Sequence, residues 1–134
     1  MAKTKIGSNA SYTGNQLGLT YIGEHAYAYN SFEASTSTQT VLDFVTGKGY
    51  TVGIFQFNGC VDPTTPQNSE NGACNVKFNG VTVSNLKALQ SAMPSSESQD
   101  LLIPPLTRVV VTVDVTDNQA SRIGSVTYVG RVYG

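Results

Sequence analysis

The chain has no tryptophan, one histidine, two cysteines and few charges: Asp, Glu, Lys and Arg make up 13% of its 134 residues. That is about half the charged fraction of an ordinary soluble domain. Eight basic against nine acidic residues leave a formal charge of −1, and the nearest approach to a charge run is Lys3 with Lys5. Proteins held to nucleic acid by phosphate contacts carry a basic stripe, so direct nucleic-acid binding is not expected. No stretch is long and apolar enough to span a bilayer, and the opening MAKTKIGSNASYTGN lacks the apolar core of a secretory signal. Synthesis in a cytoplasm, without membrane insertion, is the expectation, and the sequon Asn9-Ala10-Ser11 is then incidental. A lone histidine rules out multi-histidine metal sites, and with two cysteines it cannot complete a structural zinc site.

Ser, Thr, Asn and Gly take the place of the missing charges, alongside Val and Tyr, a mixture that suits strands and turns. The length fits one domain with a single core. Residues 1–18 are polar with only Ile6, Tyr12 and Leu17 as sizeable apolar groups, and read as a flexible N-terminal arm ahead of one β-sandwich domain over 19–134. Within LLIPPLTRVVVTVDV (Leu101–Val115), Val109, Val111, Val113 and Val115 alternate with Arg108, Thr112 and Asp114, which predicts a half-buried strand. Pro104-Pro105, lacking backbone N–H groups, marks a corner, an edge or a strand break just before it.

Further strands are predicted at Leu19–Ile22, His25–Glu33, Gln39–Val45 and Tyr50–Phe57, the last apolar on both faces. Gly47-Lys48-Gly49 is read as a tight hairpin, Asn58–Ala73 as a long loop, and Asn79-Gly80 as the strongest hairpin signal. Leu86, Leu89 and Met93 have helical spacing and predict one short helix begun by Ser84 or Asn85, followed by a polar loop over Pro94–Ser98. Arg122–Tyr133 closes the chain as a long strand. About eight strands at short spacing, with at most one short helix, make an all-β, antiparallel β-sandwich of jelly-roll type.

No grouping of residues carries recognisable catalytic chemistry. His25 beside Glu24 has no nucleophile or second acid nearby in sequence, and no serine sits in a Gly-x-Ser-x-Gly elbow. Gly47-Lys48-Gly49 lacks the spacer and following hydroxyl of a phosphate loop. Asp43, Asp62, Glu70, Asp114 and Asp117 are scattered, and Asp62 with Glu70 lack the regular spacing of a calcium loop. No catalytic, cofactor or metal residue is therefore assigned, and an enzyme is not expected. Cys60 and Cys74 bracket the long loop and are either two free thiols or a disulfide formed after release into an oxidising medium. Of Tyr21, Tyr27, Tyr29, Phe32, Phe55, Phe57, Tyr128 and Tyr133, all on strands, most are expected in the core or at subunit contacts.

The segments LDFVTGKGYTVGIFQFNG, KFNGVTVS, LLIPPLTRVVVTV and the terminal VTYVGRVYG together resemble small jelly-roll structural proteins of bacteriophages and related double-stranded DNA viruses. The resemblance covers roughly Tyr21–Gly134 and rests on no single specific motif. It implies a virion component made in the host cytoplasm: a capsid decoration, cement or minor capsid protein, homo-oligomeric with a trimer favoured, without a cofactor. Its partner would be the major capsid protein of the same virion. Expected contact regions are the arm through Leu17, the loop Asn58–Cys74 and the non-core face of Tyr50–Phe57. The alternative is a receptor- or carbohydrate-binding jelly roll of a tail or spike, against which the missing tryptophan counts.

Overall fold

A computed structural model describes residues 18–33, 37–61, 72–88, 96–115 and 123–134, apart from the side chains at 59–61, 88, 96 and 115. Among these residues the chain forms nine strands and no helix. They are β1 (Thr20–Ile22), β2 (His25–Glu33), β3 (Gln39–Val45), β4 (Tyr50–Val61), β5 (Gly72–Phe78), β6 (Val81–Ala88), β7 (Ser96–Ile103), β8 (Arg108–Val115) and β9 (Ile123–Tyr133). Two antiparallel sheets result, ordered β1-β2-β9-β4-β7 and β3-β8-β5-β6.

This order is that of a jelly roll, and it has a simple origin. The pairs nest around Asn79-Gly80: Phe78 opposes Val81, Thr51 opposes Ile103, Phe44 opposes Val109, and Tyr27 opposes Val129. The chain from β2 to β9 is thus one long hairpin, rolled so that successive stretches of the ribbon fall in alternate sheets. Asn79 (φ 51°) and Gly80 (φ 86°) form its tip. Two consecutive positive φ angles make the two-residue turn whose twist matches the flanking strands.

Alternation fills the space between the sheets. Val109, Val111 and Val113 of β8 are completely buried, as are Phe55 and Phe57 of β4 and Val126 and Tyr128 of β9. Each such side chain contributes roughly 1.5–3 kcal/mol by leaving water. On β3 the two adjacent residues Val41 and Leu42 are both buried, because a bulge between Thr40 and Leu42 resets the alternation.

Four sequence expectations are corrected. The long loop read over Asn58–Ala73 is shorter, because Asn58–Val61 continue β4 and Gly72-Ala73 begin β5. Ser84, Asn85 and Leu86 belong to strand β6, not to a helix; Leu89 and Met93 lie outside the described residues. A bulge opposite Val76/Lys77 shifts the register of β6 and puts Ser84 and Leu86 inward. Gly47-Lys48-Gly49 is not a hairpin, since β3 and β4 lie in different sheets and the link crosses between layers. Ser96–Ser98 begins β7 instead of ending a loop; β7 is an edge strand, so exposed polar residues fit it. The arm, residues 1–17, and the loop remainder, residues 62–71, lie outside the described residues.

Candidate functional site: the outer face of the five-stranded sheet

Because side chains alternate along a strand, each sheet has an outer face, and the two differ sharply. The four-stranded sheet presents mostly polar groups, with Val45 exposed among them. Arg108 donates to both carboxylate oxygens of Asp43 (Nε to Oδ1 3.0 Å, Nη2 to Oδ2 2.8 Å), and the Asn85 side-chain amide donates to the Asn75 side-chain oxygen. Lys87 and Asp114 are exposed beside them. An exposed pair such as Asp43–Arg108 contributes at most about 1 kcal/mol, so this face is a solvated surface.

The five-stranded sheet presents the opposite. Of the fourteen large apolar side chains exposed among the described residues, ten lie on its outer face: those of Ile22, Tyr27, Tyr29, Tyr50, Val52, Ile54, Leu102, Ile123, Val129 and Tyr133. Register aligns them in rows. Tyr27, Val129 and Ile54 run side by side across β2, β9 and β4. The next row holds Ile22, His25, Arg131, Val52 and Leu102, and the third joins Tyr133 to Tyr50. The row beyond Ile54 turns polar away from Tyr29, through Thr127, Gln56 and Ser98.

Tyr27, Tyr29, Tyr50 and Tyr133 are between 39% and 63% exposed. A tyrosine carries roughly 150–250 Å² of surface, so these four alone expose on the order of 400 Å². That already matches the largest apolar patch on a typical monomer, about 300–600 Å², before the aliphatic side chains are added.

One pair of charges is held on the face, while Asp100 and Glu33 are exposed at its margins. Glu24 Oε1 accepts from Arg131 Nη2 at 3.2 Å, and the Arg131 guanidinium lies 5.6 Å from the centroid of the Tyr133 ring. His25 stacks on Tyr27 with ring centroids 6.4 Å apart. The Glu24–His25 couple considered from sequence is therefore not the arrangement adopted: Glu24 holds an arginine and His25 an aromatic ring. This arrangement organises a surface and brings no nucleophile to a base.

The other sequence candidates are dispersed. Asp43 is taken by Arg108, and Asp114 sits alone on β8; Asp62, Glu70 and Asp117 lie outside the described residues. Among the described residues no three His, Cys, Asp or Glu side chains gather as a metal site, and no helix is long and apolar enough to cross a membrane. Cys74 is a free thiol, fully buried on the inner face of β5, where burial pushes its pKa up to about 12. The side chain of Cys60 is outside the described residues, so the Cys60–Cys74 bond weighed from sequence is not placed.

From sequence, Tyr50–Phe57 was apolar on both sides; the structure assigns Phe55 and Phe57 to the core and Tyr50, Val52 and Ile54 to the surface. Leu102, Val129 and Arg131 join this surface only through register with β4, which local sequence does not reveal.

Neither a protein-family model nor a curated protein matches the sequence. Among solved structures, similarity is found to the CBM36-1 domain of a multidomain xylanase from the hindgut metagenome of Trinervitermes trinervoides. That match has a TM-score of 0.38 and 11% identity, and covers 81% of this chain and 97% of that one. The structure of infectious bursal disease virus Gx strain matches with a TM-score of 0.35 and 10% identity, over 80% of this chain and 34% of that one. A family 35 carbohydrate binding module from an environmental isolate matches with a TM-score of 0.32 and 16% identity, over 93% of this chain and 77% of that one. Likenesses at this level carry no argument about function. The jelly-roll assignment stands on the strand order itself, and the chain is an all-β sandwich of two antiparallel sheets.

Proposed function

We propose that the protein is a virion structural component, a capsid decoration, cement or minor capsid protein, that stabilises a shell by burying the outer face of its five-stranded sheet against neighbouring subunits. The observation that carries this reading is the concentration of exposed apolar side chains on that one face, set against the polar outer face of the other sheet. Burying such a patch is favourable at roughly 25 cal/mol per Å², and the central Arg131 can be covered together with its Glu24 partner. The sequence resemblance to small phage and viral jelly-roll proteins supplies the setting. The partners in this reading are further copies of the chain, with a trimer favoured, and the major capsid protein. The role is cohesive, with no catalysed reaction.

Ile54→Lys tests it. Ile54 lies on β4 between Val129 and Asp100 and is 48% exposed, so the monomer should keep its stability to within about 1 kcal/mol. A lysine buried in an interface should weaken association about 100-fold or more. Light scattering and binding to expanded capsids measure the effect. Unchanged assembly and unchanged capsid binding would refute the reading.

A second reading is favoured by one observation: four tyrosine rings are exposed on this same face. Aromatic rings beside polar groups suit sugar stacking, as in a receptor- or carbohydrate-binding domain of a tail or spike. Glycan-array binding lost in Tyr27→Ala and Tyr50→Ala, without affinity for capsids, would favour it over the shell role.

A further inference from the structure

An edge strand carries a row of unpaired backbone N–H and C=O groups, which proteins ordinarily blunt by shortness, bulges, lysine or proline. Among the described residues the strands at edges are β1, β7, β3 and β6. β1 has three residues, and bulges interrupt the pairing of β3 at Thr40/Leu42 and of β6 at Val76/Lys77. β7 has none of these features. Its eight residues pair with β4 without a break, from Ser96 opposite Asn58 to Ile103 opposite Thr51, and include no lysine or proline. Glu97, Ser98, Gln99, Asp100 and Leu102 are exposed.

Register decides which backbone groups of β7 are free. Successive residues of a strand direct their N–H and C=O groups to opposite sides. The Val132 N–H donates to the Glu24 carbonyl, so Val132 and Gly130 of β9 point toward β2, while Arg131, Val129 and Thr127 point toward β4. Their partners Val52, Ile54 and Gln56 bond back to β9, which leaves Gly53, Phe55 and Phe57 to bond β7. These three oppose Leu101, Gln99 and Glu97. Ser96, Ser98, Asp100 and Leu102 therefore direct their N–H and C=O groups away from the sheet. The Gln99 side-chain amide donates to the Asp100 carbonyl at 3.3 Å, in agreement with that carbonyl facing outward.

We infer that this edge is a dimerisation site, at which β7 pairs antiparallel with β7 of a second copy of the chain and joins two five-stranded sheets into one. What names the occupant is that β7 is complementary to itself. Across a two-fold axis outward residues must meet outward residues, so each register is centred on one residue and its own copy. Centring on Asp100 sets two aspartates opposite each other, which is repulsive. Centring on Ser98 or Leu101 sets an outward residue opposite Pro94 or Pro104, neither of which has an N–H to give. Centring on Gln99 avoids both faults. Asp100 then faces Ser98 of the second copy, Ser96 faces its Leu102, and the two Asp100 side chains stand on a diagonal. Every outward residue of β7 is paired in this register. The dimer sets the two outer faces side by side and does not depend on what they bind; it makes the elementary oligomer a dimer where the resemblance implies a trimer.

Sedimentation equilibrium of the full chain tests this. Ser98→Asp places a carboxylate opposite Asp100 on both sides of the axis and should weaken the dimer roughly 10-fold, while Ser98→Lys should tighten it about as much. Ser98 is exposed, so the fold should tolerate both. Tyr27→Lys, three strands from β7, should reduce assembly through the outer face and leave this dimer, which tells the two contacts apart. In hydrogen exchange the Ser98, Asp100 and Leu102 amides should be slow in the dimer and fast on dilution, with Gln99 and Leu101 slow in both. A Tyr27→Lys chain that stays monomeric or forms trimers overturns the inference, as does a dimer whose affinity Ser98→Asp and Ser98→Lys leave unchanged.

Discussion

The Thr46 hydroxyl accepts a hydrogen bond from the Thr107 N–H at 2.9 Å and donates to the Pro104 carbonyl at 2.9 Å. The Thr46 N–H in turn donates to the Thr107 carbonyl, and the Leu106 N–H to the Gly47 carbonyl, at 2.9 and 2.8 Å. These bonds tie the β3–β4 link to the β7–β8 link where both cross from one sheet to the other. The double proline supplies no N–H groups, so a threonine hydroxyl fixes this corner. Thr46→Val should strand one buried donor and one buried acceptor, costing about 1–3 kcal/mol. Chemical denaturation, with an unchanged m value, checks this.

Leu106 has a φ of 53° and is 66% exposed. A leucine in the left-handed region is strained by roughly 1–2 kcal/mol, and little burial offsets it here. Leu106→Gly should therefore stabilise the protein by up to about 1 kcal/mol, after the added freedom of the unfolded chain is discounted. A raised Tm in calorimetry is the expected result.

Gly53 and Gly130 face each other, yet alanine should not be tolerated equally at the two. A Cβ at Gly53 would lie 2.2 Å from the Val129 carbonyl oxygen and 2.5 Å from the Gly130 Cα, both backbone atoms. At Gly130 the nearest atoms all belong to the Tyr128 side chain. Gly130→Ala should thus be partly rescued by Tyr128→Leu, whereas Gly53→Ala should not. Comparing denaturation midpoints of the single and double variants tests the difference.

Alkaline pH should weaken the fold. The Cys74 thiol is raised from 9.0 to about 12 by burial, so above pH 9 the unfolded chain gives up a proton that the folded chain keeps. Stability is then full below about pH 9 and falls by about 1.4 kcal/mol per pH unit until pH approaches 12. Tyr21 and Tyr128, both raised from 10.0 with burial as the main cause, add to the fall above pH 10. Urea titrations between pH 8 and 11 should show it. At pH 8 a thiol reagent should leave Cys74 unmodified in the native protein and label it once the chain unfolds.

Much of the architecture could be read locally. Strands β2 and β3 begin and end where alternation predicted, Val109, Val111 and Val113 of β8 point inward, and Asn79-Gly80 is a hairpin. What local pattern could not supply was partnership across the fold. Gly47-Lys48-Gly49 looks the same whether its strands pair together or in opposite sheets, and β3 pairs with β8 about 65 residues away. Leu86 carried helical spacing only with Leu89 and Met93, which lie outside the described residues, while its pairing with Cys74 sets it in β6. The functional face was half legible: Tyr50, Val52 and Ile54 announced an apolar side, but only register adds Leu102, Val129 and the Arg131–Glu24 pair. The row of Ala26, Gly130 and Gly53 leaves no local signal, since its three small residues come from three different strands.

The nested pairing also dictates an order of events. Joining Tyr27 to Val129 directly would close a loop of about a hundred residues in one step, whereas zipping outward from Asn79-Gly80 closes only one corner at a time. Damage near the tip should therefore retard folding, while damage along β2 and β9 should chiefly hasten unfolding. The apolar face is built on β1, β2, β9, β4 and β7, so it is completed by the last strands to arrive. A half-folded chain thus lacks the surface by which the finished one would bind its neighbours.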